Sequence, residues 1–428
     1  MEFVNAGDWS FYDGHYYSNK SPGLSLLAVP SYALAEYCSR WFFAGDPERQ
    51  VLFSTYACTL FTTVLMSSLL CLLLFHVLYD FFQMGMNTSL ILTLFFGFGT
   101  IAFPYSTVFY CHQPAAFWVF LSFVLAMHLC YGTARREWLS ALGAGFSASA
   151  AVLLEGSCLY LLIALCGYLL FFPRGRRCAF LFVVGCIPLA LVQGWYNTIC
   201  FGHPLAQSYD YANDMVMARV NGKLFGIPRL SQFHWLLTSP SRGLIFLSPL
   251  VLMALPGVVL FFKEKRWRAE AMLSAGISLF FIIFIASFFG IVIATAPRYL
   301  LPAFPFLFLL TVFSFPRFPL LYTIIGIISL LINSAITLVG IEIPWRVKTP
   351  LAVVAFTNIF EGRVSINPVP LSHFNHYPSI YELADMGRWT PNFNSFNLGE
   401  IIFPHSVASI IPLLCFWVLW GYWWSKIR

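Results

Sequence analysis

The sequence predicts an all-α, polytopic integral membrane protein, and three observations carry that expectation. Of 428 residues, 59% are hydrophobic and 10% are charged, against about 45–50% apolar and about 25% charged in a soluble domain. The mean hydropathy is +0.76. The apolar residues also fall in long runs, and 24 basic and 18 acidic side chains are too few to coat a soluble core of this size. The same numbers exclude disorder, collagen-like repeats, coiled coils and small disulfide scaffolds.

A crossing helix needs about 20 mostly apolar residues. The first apolar stretch, Leu24–Cys38, is short and contains Pro30, which suits a helix lying along the membrane surface as well as a crossing. Val51–Tyr79, Thr88–Pro104 and Pro114–Tyr131 follow as candidate spans. Leu139–Phe172 is too long for one crossing, since at ~1.5 Å per residue it would reach ~50 Å. Glu155-Gly156-Ser157 interrupts it, so it reads as two short helices meeting there. Cys178–Asn197, Leu244–Phe262, Ala271–Ala294, Tyr299–Phe315, Leu320–Gly340 and Val407–Trp424 complete a set of roughly eleven transmembrane helices.

Basic residues mark the cytoplasmic side of such a protein. Arg135-Arg136, Arg174/Arg176/Arg177, Lys263/Lys265/Arg266/Arg268, Arg317 and Lys426/Arg428 agree in parity if Leu139–Phe172 is a hairpin, and disagree if it is one helix. The longer polar stretches then share the extracytoplasmic side: Met1–Gly23, Tyr105–Gln113, Cys200–Arg242, Ala296–Arg298 and Ile341–Phe403. The chain divides into a transmembrane unit over 1–340, an extracytoplasmic loop over 341–404, and a last helix with its tail over 405–428. Two outer loops are too long to be connectors, and long loops are usually functional. Their basic residues call for a reason. An anionic ligand is one, and snorkelling at helix ends is the other.

The net charge of +6 is spread along the chain, and no solvated basic face with interleaved aromatics appears, so a nucleic-acid partner is not expected. The 46 Phe, 13 Trp and 20 Tyr suit lipid-facing and interfacial positions. Eleven cysteines include no CxxC pair. Most, such as Cys58, Cys71, Cys166 and Cys186, sit inside apolar runs, where cysteine behaves as a small hydrophobe. His373 and His376 are too sparse for a metal site. HExxH, Asp-x-Asp, P-loop and GxGxxG patterns are all missing, so neither a metal nor another cofactor is expected.

The densest polar cluster opens the chain, from Gly7-Asp8-Trp9 through Tyr12-Asp13-Gly14-His15-Tyr16-Tyr17 to Lys20-Ser21-Pro22-Gly23. Pro22 suits the first turn of a helix and Ser21 can cap it. Lys20 then stands at a helix start, where backbone N–H groups already favour an anion. An interfacial aromatic belt with one lysine is the alternative.

The segment "GDWSFYDGHYYSNKSPGLSLLAVPSY" resembles the first outer loop of the membrane GT-C glycosyltransferases that use polyprenyl-phosphate sugars. These include protein O-mannosyltransferases and the aminoarabinose transferase of lipid A. The loop of that family runs to a Lys-Pro-Pro or Lys-x-Pro turn, matched here by Lys20-Ser21-Pro22. Further similar pieces are "FGTIAFPYSTVFYCHQPA", "YNTICFGHPLAQSY", "SPSRGLIFLSPLVLMALPG" and "APRYLLPAFPFL", so the likeness reaches to about Gly340.

The resemblance implies inverting transfer of a sugar from a polyprenyl-phosphate donor to an acceptor on the outer face of a bacterial plasma membrane. That acceptor is lipid A, protein or polysaccharide. It implies no cofactor, and Lys20, Arg242 and Arg298 as partners of the donor phosphate. His15, Tyr17, His112, Glu155 and Tyr299 are the further substrate-binding candidates. Burial between apolar helices should raise the Glu155 pKa. A carboxylate base is also required. The family carries it upstream of the Lys-Pro turn, after a first helix, a region this chain does not contain. The chain is therefore expected to lack its N-terminal part, which leaves Asp8 and Asp13 as candidates. A transporter or flippase of lipid-linked saccharide is the rival from another class, although no internal repeat is visible. An inactive partner subunit is the third reading.

Overall fold

The hairpin expected across Leu139–Phe172 is present, with its bend at the expected place. The computed structural model describes residues 9–212, 225–288, 297–341, 349–360, 402–403 and 406–427. It begins with a two-stranded antiparallel hairpin, β1 (Trp9–Tyr12) and β2 (His15–Ser18), in register Trp9 to Ser18 and Tyr12 to His15. The aromatic opening segment thus folds as strand and not as the start of a helix. Helices α1 (Gly23–Phe42), α2 (Pro47–Thr59) and α3 (Leu65–His76) follow, with π-helical turns at Leu60–Val64 and Val77–Phe81. Next come α4 (Met86–Phe98), α5 (Ala102–Ser106), α6 (His112–Tyr131), α7 (Glu137–Leu154), α8 (Cys158–Phe171) and α9 (Pro173–Phe201). The second half holds α10 (Leu230–Leu237), α11 (Leu244–Leu247), α12 (Ala254–Lys263), α13 (Arg268–Ala286), α14 (Phe304–Val312) and α15 (Pro319–Val339). Two more helices are α16 (Thr357–Phe360) and α17 (Ile411–Ile427).

Among the described residues, six helices are long and apolar enough to cross a membrane: Arg49–Phe81, His112–Tyr131, Glu137–Leu154, Pro173–Phe201, Lys265–Ala286 and Pro319–Val339. The remaining apolar runs are shorter or broken. Thr88–Pro104 divides at Gly99 into α4 and α5, and Leu244–Phe262 divides at Ser248 and Pro249 before α12 begins. Tyr299–Phe315 starts as a 3-10 turn, Arg298–Ala303, because Pro302 and Pro305 each remove a backbone N–H donor there. The stretch expected to be loop from 341 onward begins with helical turns at Leu351–Phe360, whose Leu351, Val354 and Ala355 are buried.

Helix α1 buries one stripe, Leu24, Ala28, Ala35 and Ser39, and exposes Val29, Leu34, Tyr37 and Trp41. Helix α9 exposes Phe180, Val183, Ile187, Leu191 and Trp195 along its length. Contiguous apolar exposure on this scale is a surface made for lipid. Inside the bundle, α7 and α9 approach through small residues. A Cβ on Gly145 would stand 1.9 Å from the Phe182 carbonyl oxygen, and one on Gly185 2.2 Å from that of Leu142. Ala141, Ala144, Ala148 and Ala151 are buried on the same helix. Lipid gives no hydrophobic drive between helices, so such close contact is what holds them together.

Two polar zones lie at the opposite ends of α6, which spans ~30 Å at ~1.5 Å per residue. At its C-terminal end Arg174 donates to the Tyr131 carbonyl, and Tyr131 Oη donates to the Arg266 carbonyl. The basic groups after α6, at the start of α9 and after α12 therefore share one end, as the hairpin parity requires. The other end holds the candidate site.

Candidate functional site

Helix α6 opens on Cys111 as N-cap and His112 as first helical residue, and α7 closes on Glu155 as C-cap. The hairpin turns because Glu155 and Gly156 accept at their carbonyls from the amides of Cys158 and Leu159. This brings Glu155 Oε2 to 3.2 Å from His112 Nδ1 and 3.5 Å from Cys111 Sγ, with Cys111 Sγ and His112 Nδ1 3.8 Å apart. The Ser157 hydroxyl donates to Glu155 Oε1 at 3.3 Å. The carboxylate also faces the positive N-terminal end of α6, which favours its charge.

His112 is 4% exposed and is therefore buried. Burial does push Glu155 up, as expected. The hydrogen bond and charge of His112 oppose it, with help from Cys111 and the Lys20 ammonium, and the carboxyl is held below its ordinary value.

Lys20 reaches this point through the turn before α1. Pro22 is the N-cap, with no side-chain capping bond, so Ser21 does not cap the helix. Gly23 sits directly on the Leu153–Leu154 backbone. Lys20 is near enough to act on both Glu155 and His112 and lies 5.6 Å from the Tyr209 ring centre. Arg298, first residue of its 3-10 turn, has its guanidinium 5.2 Å from the Tyr110 ring and 5.3 Å from that of Tyr299. Its buried Nε finds no hydrogen-bond partner among the described residues. The Tyr299 ring meets His112 edge-on at 5.2 Å. Arg242, just before α11, is 2% exposed and stands over Trp235 at 5.9 Å. Burial pulls it down to about 10, with Tyr105 opposing and Arg298 adding to the shift, so it keeps its charge at neutral pH.

The structure thus gathers Lys20, His112, Glu155, Arg298, Tyr299 and Arg242 at one end of the bundle. No family model matches the chain, and no curated protein and no solved structure matches it. The chemistry of this zone therefore has to speak for itself. Lys20 and Arg298 both act on His112, and Arg298 acts in turn on Arg242; cations walled by tyrosine rings and partly withdrawn from water are chemically suited to an anion.

The other candidates stand apart. Asp13 is exposed at the hairpin turn with φ 47°, followed by Gly14 with φ 77°. An Asp-Gly pair with two positive φ angles is what a tight two-residue hairpin requires. His15 is exposed, while Tyr17 packs on Phe201 at 5.5 Å. The hairpin docks on the start of the large loop: Ser10 donates to the Ser208 carbonyl at 2.6 Å, and Ser208 to that of Asn19 at 2.9 Å. Asp8, His373 and His376 lie outside the described residues, as does most of the 341–404 segment.

Sequence reasoning missed Cys111. Its place beside His112 at a helix start was the available signal. Reasoning also missed a polar group at the opposite end. Glu270, 0% exposed, accepts from the hydroxyls of Tyr131 at 2.8 Å and Tyr168 at 2.5 Å. Nearby, His76 Nε2 and His128 Nε2 are 3.1 Å apart, and Asp80 is 2.6 Å from His76 Nδ1.

Proposed function

We propose that the chain is a glycosyltransferase of GT-C type, with about eleven crossings, moving a sugar from a polyprenyl phosphate to an acceptor on the extracytoplasmic face. The observation that carries this reading is the placement of Lys20 and Arg298 beside the Glu155–His112 pair, with Arg242 next to Arg298. In the reaction the bond from the sugar's anomeric carbon to the phosphate oxygen breaks, and one to the acceptor oxygen forms. Negative charge grows on the departing lipid phosphate, and preorganised cations at a water-poor site stabilise it. The acceptor's proton goes to a carboxylate. The sequence offers Asp13 and Asp8 for that role; Asp13 stands exposed at the hairpin turn, and Asp8 lies outside the described residues.

A cavity of about 300 Å³ supports the reading. It opens between α1 and α2 and is lined by Ser25, Ala28, Val29, Tyr32 and Cys58 together with Phe109. Phe109 leads directly into Tyr110 and Cys111, so an apolar tail resting there would carry its phosphate toward the cations. Lys20 lies just before α1, whose first turns line the cavity.

The test is transfer itself. Membranes containing the chain and a polyprenyl-phosphate sugar labelled in the sugar should yield labelled acceptor and free polyprenyl phosphate in equal amounts. Label that crosses the bilayer with its phosphate bond intact would establish a flippase in place of a transferase.

A further inference from the structure

We infer that Cys111, His112 and Glu155 form a binding site for one divalent metal ion of the zinc class. The inference does not depend on sugar transfer. Their ligand atoms lie within 4.8 Å of one another, with edges of 3.2, 3.5 and 3.8 Å. Zinc bonds of about 2.0–2.3 Å at tetrahedral angles require edges of about 3.4–3.6 Å. The three atoms therefore outline one face of a zinc tetrahedron and need shifts of only a few tenths of an ångström.

The donor set points to the same ion. A thiolate, an imidazole and one carboxylate suit zinc, whereas calcium and magnesium seek several oxygens. The side chains are already held in place. Two come from adjacent residues at the start of α6, the third ends α7, and the Ser157 hydroxyl holds the second carboxylate oxygen from outside. Outer support of this kind fixes a ligand's orientation.

The neighbouring cations do not bar a metal ion, because its ligands can neutralise it. Binding removes one proton from the Cys111 thiol, which passes to solvent as the metal–sulfur bond forms. Thiolate and carboxylate together then match the metal's two positive charges.

The test uses the full chain purified in detergent, stripped with a chelator, then titrated with Zn²⁺ and separately with Co²⁺. One tightly held zinc per chain is expected, and the cobalt form should show a thiolate-to-cobalt charge-transfer band in the near ultraviolet. Cys111→Ser should abolish that band. Even outer-shell changes cost about 10–100-fold in affinity, so His112→Gln and Glu155→Gln should weaken zinc by about 100-fold or more. Cys415→Ser, at an exposed cysteine of α17, should change nothing. Wild-type chain that retains no zinc, or a cobalt band that survives Cys111→Ser, would overturn the site. Failure of the wild type to bind is decisive whether or not the variants fold, and it leaves the transfer assay untouched.

Discussion

Gly23 lies so close to Leu153 that a Cβ on it would stand 2.4 Å from the Leu153 carbonyl oxygen. This contact seats the Lys20 turn on the end of α7, two residues before Glu155. Gly23→Val should therefore lift the turn away from the carboxylate. Forced overpacking of this kind typically costs about 1–3 kcal/mol. Thermal unfolding in detergent should fall accordingly, and Gly167→Ala, at a helical glycine with nothing within 4 Å, should not lower it. Equal losses in the two variants would mean that the contact has no special weight.

The α7–α9 seam gives a second prediction. Gly185→Leu must displace the Leu142 carbonyl, 2.2 Å from the new Cβ. The expected loss is again about 1–3 kcal/mol, seen as a lower midpoint and as aggregation on gel filtration. A variant as stable and monodisperse as wild type would show that the two helices do not pack this way.

Those seams also show how far the sequence could be read. Leu139–Phe172 was legible as a hairpin because one charged residue and a glycine cannot sit at mid-membrane without cause. Lys20, Arg242 and Arg298 were legible because each is a charge beside an apolar helix. The breaks at Gly99 and Ser248 were not, since hydropathy sums over a run and does not register where it bends. The same blindness hid the helical turns at Leu351–Phe360 and the β-hairpin, whose aromatics suit an interface as well as a strand. Cys111 stayed hidden for another reason: its partner Glu155 is 44 residues away, and only the packing of α6 on α7 brings them together.

At the opposite end of α6, the buried Glu270 depends on two tyrosine hydroxyls. Tyr168→Phe leaves its carboxylate one donor short, at a typical cost of about 1–3 kcal/mol. Tyr131→Phe should act in the same direction but more weakly, because that hydroxyl is shared with the Arg266 carbonyl. Unfolding midpoints measured side by side give the ranking, and an inverted order would contradict it.

The positive-inside rule predicts that the shared end of the basic groups is cytoplasmic. Single cysteines placed at Arg136, Arg176 and Lys265, in a background with the native cysteines replaced, should react only with reagents that enter the cytoplasm. One at Tyr209 should react with an impermeant reagent from outside. Arg136 and Arg176 labelling from opposite sides would break the hairpin parity and with it the assignment of every later loop.

The last prediction concerns the three cations. Each interacts with the same small zone, yet each comes from a different stretch of chain: the α1 turn, the approach to α11 and the turn before α14. If they hold a phosphate whose charge grows as the sugar departs, losing one should affect turnover more than donor binding. Removing a single such contact typically costs ~3 kcal/mol, or ~10²-fold in rate. Lys20→Ala and Arg298→Ala should thus lower kcat about that much, with KM for the polyprenyl-phosphate sugar changing far less. Arg317→Ala, an exposed arginine after α14, should leave both unchanged. A fall of similar size in all three variants would point to general damage to the fold. A rise in KM alone would make the cations a docking site for the lipid, without a part in breaking its bond.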